Sequence, residues 1–185
     1  MKKLFYTLIF FIFLNNTVYC KIKVDFTPSK KCENQIIQLI NNSKKTIDIA
    51  IYSINNKNIV KALKQAHDRG IKIRILTDRL QASSKTSKAC DLYNYGINIR
   101  VSTKHKIEHN KFAIYDKKIV STGSYNWTNT ATDKNSENCL FFKKNKYVIN
   151  RYNGRFSYLW YINTREKSNR WFNNNIKHCN IKNVI

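Results

Sequence analysis

The sequence contains little glycine and almost no proline, with four and one of these residues among 185. No stretch has the Gly-rich or Pro-rich composition of a flexible linker between domains, and no internal repeat is visible. A chain of this length with 42% apolar residues can bury one hydrophobic core but is too short for two large domains. We therefore expect a single domain.

Acidic residues are also scarce, since 11 Asp and Glu stand against 34 Lys and Arg, for a formal charge of +23. So large a charge creates a long-range field that concentrates polyanions or anionic lipid surfaces near the protein. Solubility alone is the simpler explanation of such a charge. The composition predicts a negatively charged partner, either nucleic acid or phospholipid membrane, without deciding between them.

The five cysteines include no C-x2-C pair and no Cys/His group at ligand spacing, which argues against a structural zinc site. Cys32, Cys90, Cys139 and Cys179 lie beyond residue 20 and form an even-numbered set. In an oxidising compartment these four could form two disulfides in any of three connectivities. Buried free thiols are the alternative for each of them.

Residues 1–20 have the organisation of a secretory signal peptide. Lys2 and Lys3 precede an apolar run over residues 4–14, and cleavage is predicted after Cys20, which implies a secreted protein, periplasmic or extracellular. An uncleaved membrane anchor is one alternative, although the run is shorter than a bilayer span. Lipid modification of Cys20 is another, which the bulky Tyr19 disfavours. Cleavage would remove two lysines and leave a charge of about +21.

Strand-like and helix-like segments alternate along most of the chain. Strands are predicted at residues 24–27, 46–53, 71–77, 97–101, 112–115, 119–122 and 139–142. Helices are predicted at residues 32–42, from Asn55 or Asn56 to Gly70, before Gly96, and at residues 147–161. This order predicts an α/β domain over residues 21–163, with a mixed, mostly parallel central sheet flanked by helices. Residues 164–185 are predicted to form a polar, loose tail.

The residues with the clearest chemical pattern occur between positions 109 and 126. His109 and Lys111 are two residues apart, so on a strand their imidazole and ammonium groups would point to the same face. Gly123 permits a turn that brings the Ser124 hydroxyl and the Asn126 amide close to the same oxygens. This combination suits phosphoryl transfer, with a nucleophile beside a cation and further hydrogen-bond donors.

Glu137 could bind the second ring nitrogen of His109 and fix its tautomer. For the whole set, the simpler explanation is an exposed polar strand and turn, which the match of four residue types at fixed spacing disfavours. His67, His105 and His178 lack such a context and are predicted to be without a catalytic role. Trp127 could line a substrate groove or pack in the core.

The pattern H-x-K-x4-D at residues 109–116, followed by G-S-x-N at residues 123–126, resembles the signature of the phospholipase D superfamily. The resemblance covers about residues 24–162 and is greatest to the small secreted phospholipase D of obligate intracellular bacteria and to the bacterial one-motif endonuclease. It extends to residues 26–29, 47–55, 67–77 and 135–138.

The resemblance implies a phosphodiesterase that forms a phosphohistidine at His109 without a metal or other cofactor. In-line displacement needs a second histidine opposite the first, and the chain has one such motif, so we expect a homodimer with a shared active site. Asp116 is assigned a structural or supporting role. The candidate catalytic residues are His109, Lys111, Asp116 and Glu137, and the candidate phosphate-binding residues are Lys111, Ser124 and Asn126.

Three functions follow as alternatives. The first is a secreted phospholipase D that acts on phospholipid headgroups, with a role in virulence. The second is an endonuclease without sequence preference, because nothing in the sequence would read bases. The third is an inactive module that binds nucleic acid or membrane, and the complete motif argues against it.

Overall fold

A computed structural model of the protein describes residues 21–176. The predicted signal peptide at residues 1–20, with its cleavage site, lies outside the described residues, as do His178 and Cys179. Within residues 21–176 the chain forms seven strands and seven helices. The strands are β1 (Lys21–Thr27), β2 (Thr46–Ile51), β3 (Lys72–Asp78), β4 (Asn98–Ser102), β5 (Lys111–Tyr115), β6 (Ile119–Gly123) and β7 (Glu137–Lys143). The helices are α1 (Lys31–Asn42), α2 (Lys57–Asp68), α3 (Arg79–Ala82), α4 (Ala89–Asn94), α5 (Asn129–Asp133), α6 (Lys146–Ile162) and α7 (Arg165–Asn175).

All seven strands form one sheet in the order β1-β7-β6-β5-β2-β3-β4. The predicted mixed sheet flanked by helices is confirmed, but only the β2–β3 and β3–β4 pairs are parallel. The other four neighbouring pairs are antiparallel, so parallel pairing is the minority and not the majority that the sequence pattern predicted. Strands joined by a helix and paired in parallel extend only from β2 to β4. Afterwards a tight turn joins β5 to β6, and β7 then returns between β6 and β1.

Each face of the sheet is covered by a separate hydrophobic cluster. On one face, helices α1, α2, α4 and α7 enclose buried side chains that include Ile49, Leu63 and Phe172. On the other face, α6 covers a smaller cluster with Phe112 and Phe156 at its centre. None of the described helices is both long enough and apolar enough to cross a membrane.

Two local signals explain the limits of α2. Asn56 precedes the helix, and its side-chain oxygen accepts hydrogen bonds from the backbone N–H groups of Asn58 and Ile59, as expected of an N-cap residue. Gly70 follows the helix with a φ of +82°, a conformation that costs glycine little. The helix predicted between Asn56 and Gly70 is therefore confirmed.

The segment after residue 163 differs from the loose tail that its composition predicted. Residues Arg165–Asn175 form α7, which lies against β4. The Ser168 hydroxyl accepts a hydrogen bond from the Val101 backbone N–H at 3.2 Å, and Phe172 is fully buried against Tyr93. A few apolar residues within a polar helix are enough to attach it to the domain, because they share one face.

A disulfide joins Cys32 in α1 to Cys139 in β7. The two cysteines are 107 residues apart, and both are buried in the larger cluster. This is one of the pairings that the sequence left open, and it fastens the first helix to a strand formed near the end of the domain.

Candidate active site

All candidate residues except Asp116 lie at one end of the strands, where β2, β3 and β6 end and β5 and β7 begin. His109 lies two residues before β5, and Ser124 directly follows β6. These two strands are paired with Phe112 opposite Thr122, so the segments that carry His109 and Ser124 continue side by side. The topology therefore brings both halves of the motif to the same place.

The segment around His109 is held on both sides while its imidazole remains exposed. Glu108 is buried; its backbone N–H donates to the Asp78 carboxylate at 3.0 Å, and its side chain accepts from the Asn110 amide at 2.6 Å. The Asn110 carbonyl accepts from the Tyr52 N–H at 2.9 Å. Within residues 21–176, the ring nitrogens of His109 make no hydrogen bond. An imidazole in this position can contact a substrate without first breaking a hydrogen bond.

Lys111 begins β5 and reaches back toward His109. Its Nζ donates a hydrogen bond to the His109 backbone carbonyl at 2.7 Å. Desolvation lowers the pKa of Lys111 from its ordinary value, and the carboxylates of Glu137 and Glu108 act in the opposite direction. The Lys111 ammonium is thus bound to the backbone of His109, which itself lies outside the strand.

Sequence reasoning did not assign a site role to Tyr52, yet its ring contacts both of these residues. The Tyr52 and His109 ring centroids are 4.6 Å apart in an edge-on arrangement. The Lys111 Nζ lies 4.9 Å from the centroid of the same ring. The only available signal was the position of Tyr52 directly after a strand whose end faces the motif.

The turn after β6 requires glycine. Gly123 has a φ of +144°, and a side chain there would collide with the backbone carbonyl of Asn138. This close approach lets the Ser124 N–H donate to the same carbonyl at 3.1 Å, while the Ser124 Oγ accepts from the Asn138 N–H at 3.0 Å. Because Oγ acts only as an acceptor in that bond, its hydroxyl hydrogen is available for a ligand oxygen.

Asn126 carries an unpaired polar group. Its side-chain Oδ1 is buried and has no hydrogen-bond partner among the described residues. Such an atom is costly in a folded protein unless a ligand or water supplies a partner. Oδ1 is an acceptor, so a donor on a bound molecule or a water would satisfy it, while the Nδ2 group of Asn126 is the one that can donate to a phosphate oxygen.

Glu137 does not contact His109 within the single chain. Its carboxylate accepts from the Asn135 side-chain amide at 2.9 Å, and its charge acts on Lys111. The physical reason is the order of strands, because β6 separates β7 from β5 and places them about 10 Å apart. The hydrogen bond predicted between Glu137 and His109 is therefore not formed within one subunit.

Asp116 lies at the opposite end of β5 from His109, in the turn to β6. Its carboxylate accepts from the backbone N–H groups of Lys44, Lys45 and Thr46 at 2.7 to 3.0 Å. Desolvation raises the pKa of Asp116, but these hydrogen bonds and the charge of Lys118 outweigh it, so the pKa is below its ordinary value. These contacts stabilise the start of β2 and do not reach the imidazole.

Trp127 belongs to the core and not to a groove wall. It is 2% exposed, and its carbonyl accepts from the N–H groups of Asn55 and Asn56. His67 packs beside Tyr95, away from the motif. Among residues 21–176, no three His, Cys, Asp or Glu side chains come together as a set of metal ligands.

Comparison with known proteins identifies the same family. Residues 36–160 match the family described as cardiolipin synthase, PLD-like domain. A phospholipase D of Rickettsia prowazekii (strain Madrid E) is 38% identical over 121 residues, which are 65% of this chain and 59% of that protein. A mitochondrial cardiolipin hydrolase of Chlamydomonas reinhardtii is 29% identical over 127 residues, 69% of this chain and 56% of that protein. The chain thus spans less than two thirds of the length of these relatives.

The fold has solved counterparts. Nuc from Salmonella typhimurium, a phospholipase D family member, superposes with a TM-score of 0.74 at 28% identity, covering 79% of this chain and 97% of that one. NucT from Helicobacter pylori superposes with a TM-score of 0.71 at 27% identity, covering 76% and 96%. The family match spans more than half of the chain and includes both halves of the motif, so this chain belongs to the phospholipase D superfamily.

Proposed function

We propose that this protein hydrolyses phosphodiesters through a covalent bond between His109 and phosphorus. The observation that carries the proposal is the exposed His109 imidazole, free of hydrogen bonds within the described residues, with the Lys111 ammonium bound to the backbone carbonyl of the same residue. An available nitrogen nucleophile next to a fixed cation is the arrangement that attack on an anionic phosphodiester needs.

The proposed reaction has two steps. A neutral ring nitrogen of His109 attacks phosphorus, the bond to the leaving oxygen breaks, and a general acid gives that oxygen a proton. Water then attacks the phosphohistidine, passes a proton to the same group acting as a base, and releases the phosphomonoester with free His109. Lys111, the Ser124 hydroxyl and the Asn126 amide bind the nonbridging oxygens as charge builds on them. No step requires a metal.

The general acid is proposed to be the His109 of a second subunit. In-line displacement places the nucleophile and the leaving group on opposite sides of phosphorus, so one imidazole cannot act on both. The β1 edge strand offers an apolar surface for such a contact, with Ile22, Val24 and Phe26 exposed by 52%, 45% and 64%. This strand ends on the same side of the sheet as His109, three strand spacings or about 14 Å from β5.

Phospholipid is the proposed substrate. Relatives at 38% and 29% identity are named phospholipase D and mitochondrial cardiolipin hydrolase, and both names specify lipid phosphodiesters. The charge of +23 favours binding to anionic membrane surfaces. The product would be phosphatidic acid. With the signal peptide expected at residues 1–20, the protein would be secreted and could act on host membranes as a virulence factor.

Nucleic acid is the second candidate, and one surface feature favours it. A cleft of about 390 Å³ lies between the segment before His109 and α7, and Lys104, Lys167, Arg170 and Trp171 are among the residues that line it. Cations beside an aromatic ring are typical of sites for single-stranded nucleic acid. The expected activity would be cleavage without sequence preference.

The test compares two substrates under one set of conditions. Purified protein in chelator receives phosphatidylcholine and cardiolipin vesicles in one reaction and plasmid DNA in another, with His109→Ala and His105→Ala run in parallel. We expect phosphatidic acid from the vesicles, full activity in His105→Ala and none in His109→Ala. Nicked plasmid with intact lipid would select the endonuclease. Turnover by His109→Ala, or no phosphohistidine after an alkaline denaturing quench of the wild type during turnover, would refute the mechanism.

A further inference from the structure

Tyr52 is placed to control the geometry of the two residues on which the proposed reaction depends. It directly follows β2, and its ring touches His109 on one side and the Lys111 ammonium on another, at 4.6 Å and 4.9 Å between the respective centres. A positively charged group is attracted to an aromatic face, and the edge of one ring packs well against the face of another. The Tyr52 side chain therefore contacts both the proposed nucleophile, His109, and the Lys111 ammonium.

Tyr52 is itself fixed at three points, two on its backbone and one at its phenolic oxygen. Its backbone N–H donates to the Asn110 carbonyl at 2.9 Å, and its carbonyl accepts from the Thr77 hydroxyl at 3.3 Å. Its phenolic oxygen accepts from the Gln81 side-chain amide at 3.0 Å. A ring anchored at the backbone and at its far end has little freedom to rotate, so it provides a rigid wall for the imidazole.

Helix α3 and the residue that caps it also help to hold Tyr52 and the segment before His109 in place. Buried Asp78 caps this helix, because one carboxylate oxygen accepts from the backbone N–H groups of Leu80 and Gln81. Its other oxygen accepts from the Glu108 N–H, next to His109. One carboxylate thus orients both the backbone before the nucleophile and the residue that holds the Tyr52 hydroxyl.

We propose that Tyr52 is a positioning residue that holds His109 and Lys111 in the arrangement required for attack on phosphorus. This inference rests on the proposed function, because positioning has a kinetic effect only if His109 is the nucleophile. Substrate binding depends mainly on charge, whereas attack depends on the direction of the ring nitrogen. Loss of the ring should therefore reduce kcat much more than it changes KM.

The chain contains a matched control in Tyr95. The Tyr95 ring centroid lies 6.0 Å from that of His67, in the same edge-on manner, and the Lys64 Nζ lies 4.7 Å from it. Tyr52→Leu and Tyr95→Leu thus remove the same type of contact, at the motif and away from it. Tyr52→Phe keeps the ring and removes only the hydroxyl.

The experiment measures kcat and KM of the full chain on bis(p-nitrophenyl) phosphate, together with the thermal midpoint. For Tyr52→Leu we expect kcat to fall about 10- to 100-fold with KM within about threefold. Tyr52→Phe should stay within about threefold of wild type, and Tyr95→Leu should be unchanged. Equal kcat in Tyr52→Leu and wild type, or an equal loss in Tyr95→Leu, would overturn the proposal.

Two further measurements separate positioning from folding and from the reaction itself. Gln81→Ala should lower kcat by no more than Tyr52→Phe does and should cause no further loss in the Tyr52→Phe background. An equal loss in both backgrounds would contradict the proposed route through the hydroxyl. The proton resonances of the His109 ring should shift in Tyr52→Leu and not in Tyr52→Phe, and no shift in either would refute the contact. This signal does not depend on turnover, so an inactive wild type would refute the proposed function and leave the contact testable.

Discussion

The backbone carbonyl of Asn138 occupies the space in which a side chain at position 123 would stand. Gly123 therefore combines a positive φ with a close approach to the neighbouring strand β7. The Ser124 hydrogen bonds to Asn138 depend on that approach. The glycine of the motif is needed for the position of the serine.

Gly123→Ala should consequently damage both the fold and the site. The added methyl group must push β7 away or rotate the turn, and we expect a loss of about 1–3 kcal/mol in the free energy of unfolding with at least a tenfold loss of kcat. Urea unfolding and initial rates measure the two effects. Gly154→Ala is the control, because Gly154 lies in α6 with open space around it and alanine should stabilise that helix by about 0.5–1 kcal/mol. Similar behaviour of the two variants would contradict the role of Gly123.

Asp116→Asn should remove stability that depends on pH. Because the pKa of Asp116 is lowered in the folded chain, its contribution is present above its unfolded pKa of about 4 and is lost as the pH falls through the folded value. We expect the variant to be about 1–3 kcal/mol less stable at pH 7, with a smaller difference from wild type at pH 2–3. Asp68→Asn is a control, since that carboxylate binds only the exposed Tyr95 hydroxyl. A constant difference across this pH range would refute the interpretation.

Replacement of both Cys32 and Cys139 by alanine should destabilise the domain without altering the chemistry. A link between residues 107 apart restricts the unfolded chain strongly, so we expect a loss of about 3–5 kcal/mol. Denaturant unfolding measures this loss, and kcat at low temperature should remain within about twofold of wild type. A variant as stable as the wild type would show that the bond adds nothing to the fold.

Mixtures of wild type and His109→Ala test the shared site. If each phosphate needs one imidazole from each of the two subunits, randomly mixed dimers are active only when both subunits are wild type. Activity should then fall with the square of the wild-type fraction. A linear decrease would indicate independent subunits.

Phe26→Asp should weaken the dimer and lower activity at low protein concentration, as light scattering and rates would show.

Local sequence signals predicted the elements that depend on local interactions. The cap at Asn56 and the positive φ at Gly70 define α2, and the short separation of β5 from β6 indicated their hairpin. The parallel or antiparallel choice for β7 and β1 could not be predicted, because it depends on contacts more than a hundred residues apart. Helix α7 was not predicted because its composition is polar and only a few of its residues are buried against the sheet.

In the site, too, contacts between residues close in sequence could be predicted, and contacts that depend on strand pairing could not. The motif placed Lys111 beside His109, and that proximity follows from their spacing in the chain. Tyr52 was missed because it reaches His109 only through the pairing of β2 with β5. The Glu137–His109 contact was predicted from residue types alone, and the intervening strand β6 prevents it within one chain.

The bond between Cys32 and Cys139 also closes a covalent ring that contains every candidate site residue from His109 to Glu137. The exposed segment at residues 83–86 lies inside this ring. A protease that cuts once there would open the ring without releasing either fragment, and both would remain bound through the parallel pair β3–β4 and the antiparallel pair β2–β5. The nicked protein should therefore keep its two pieces together until the sulfurs are reduced and the sheet is unfolded.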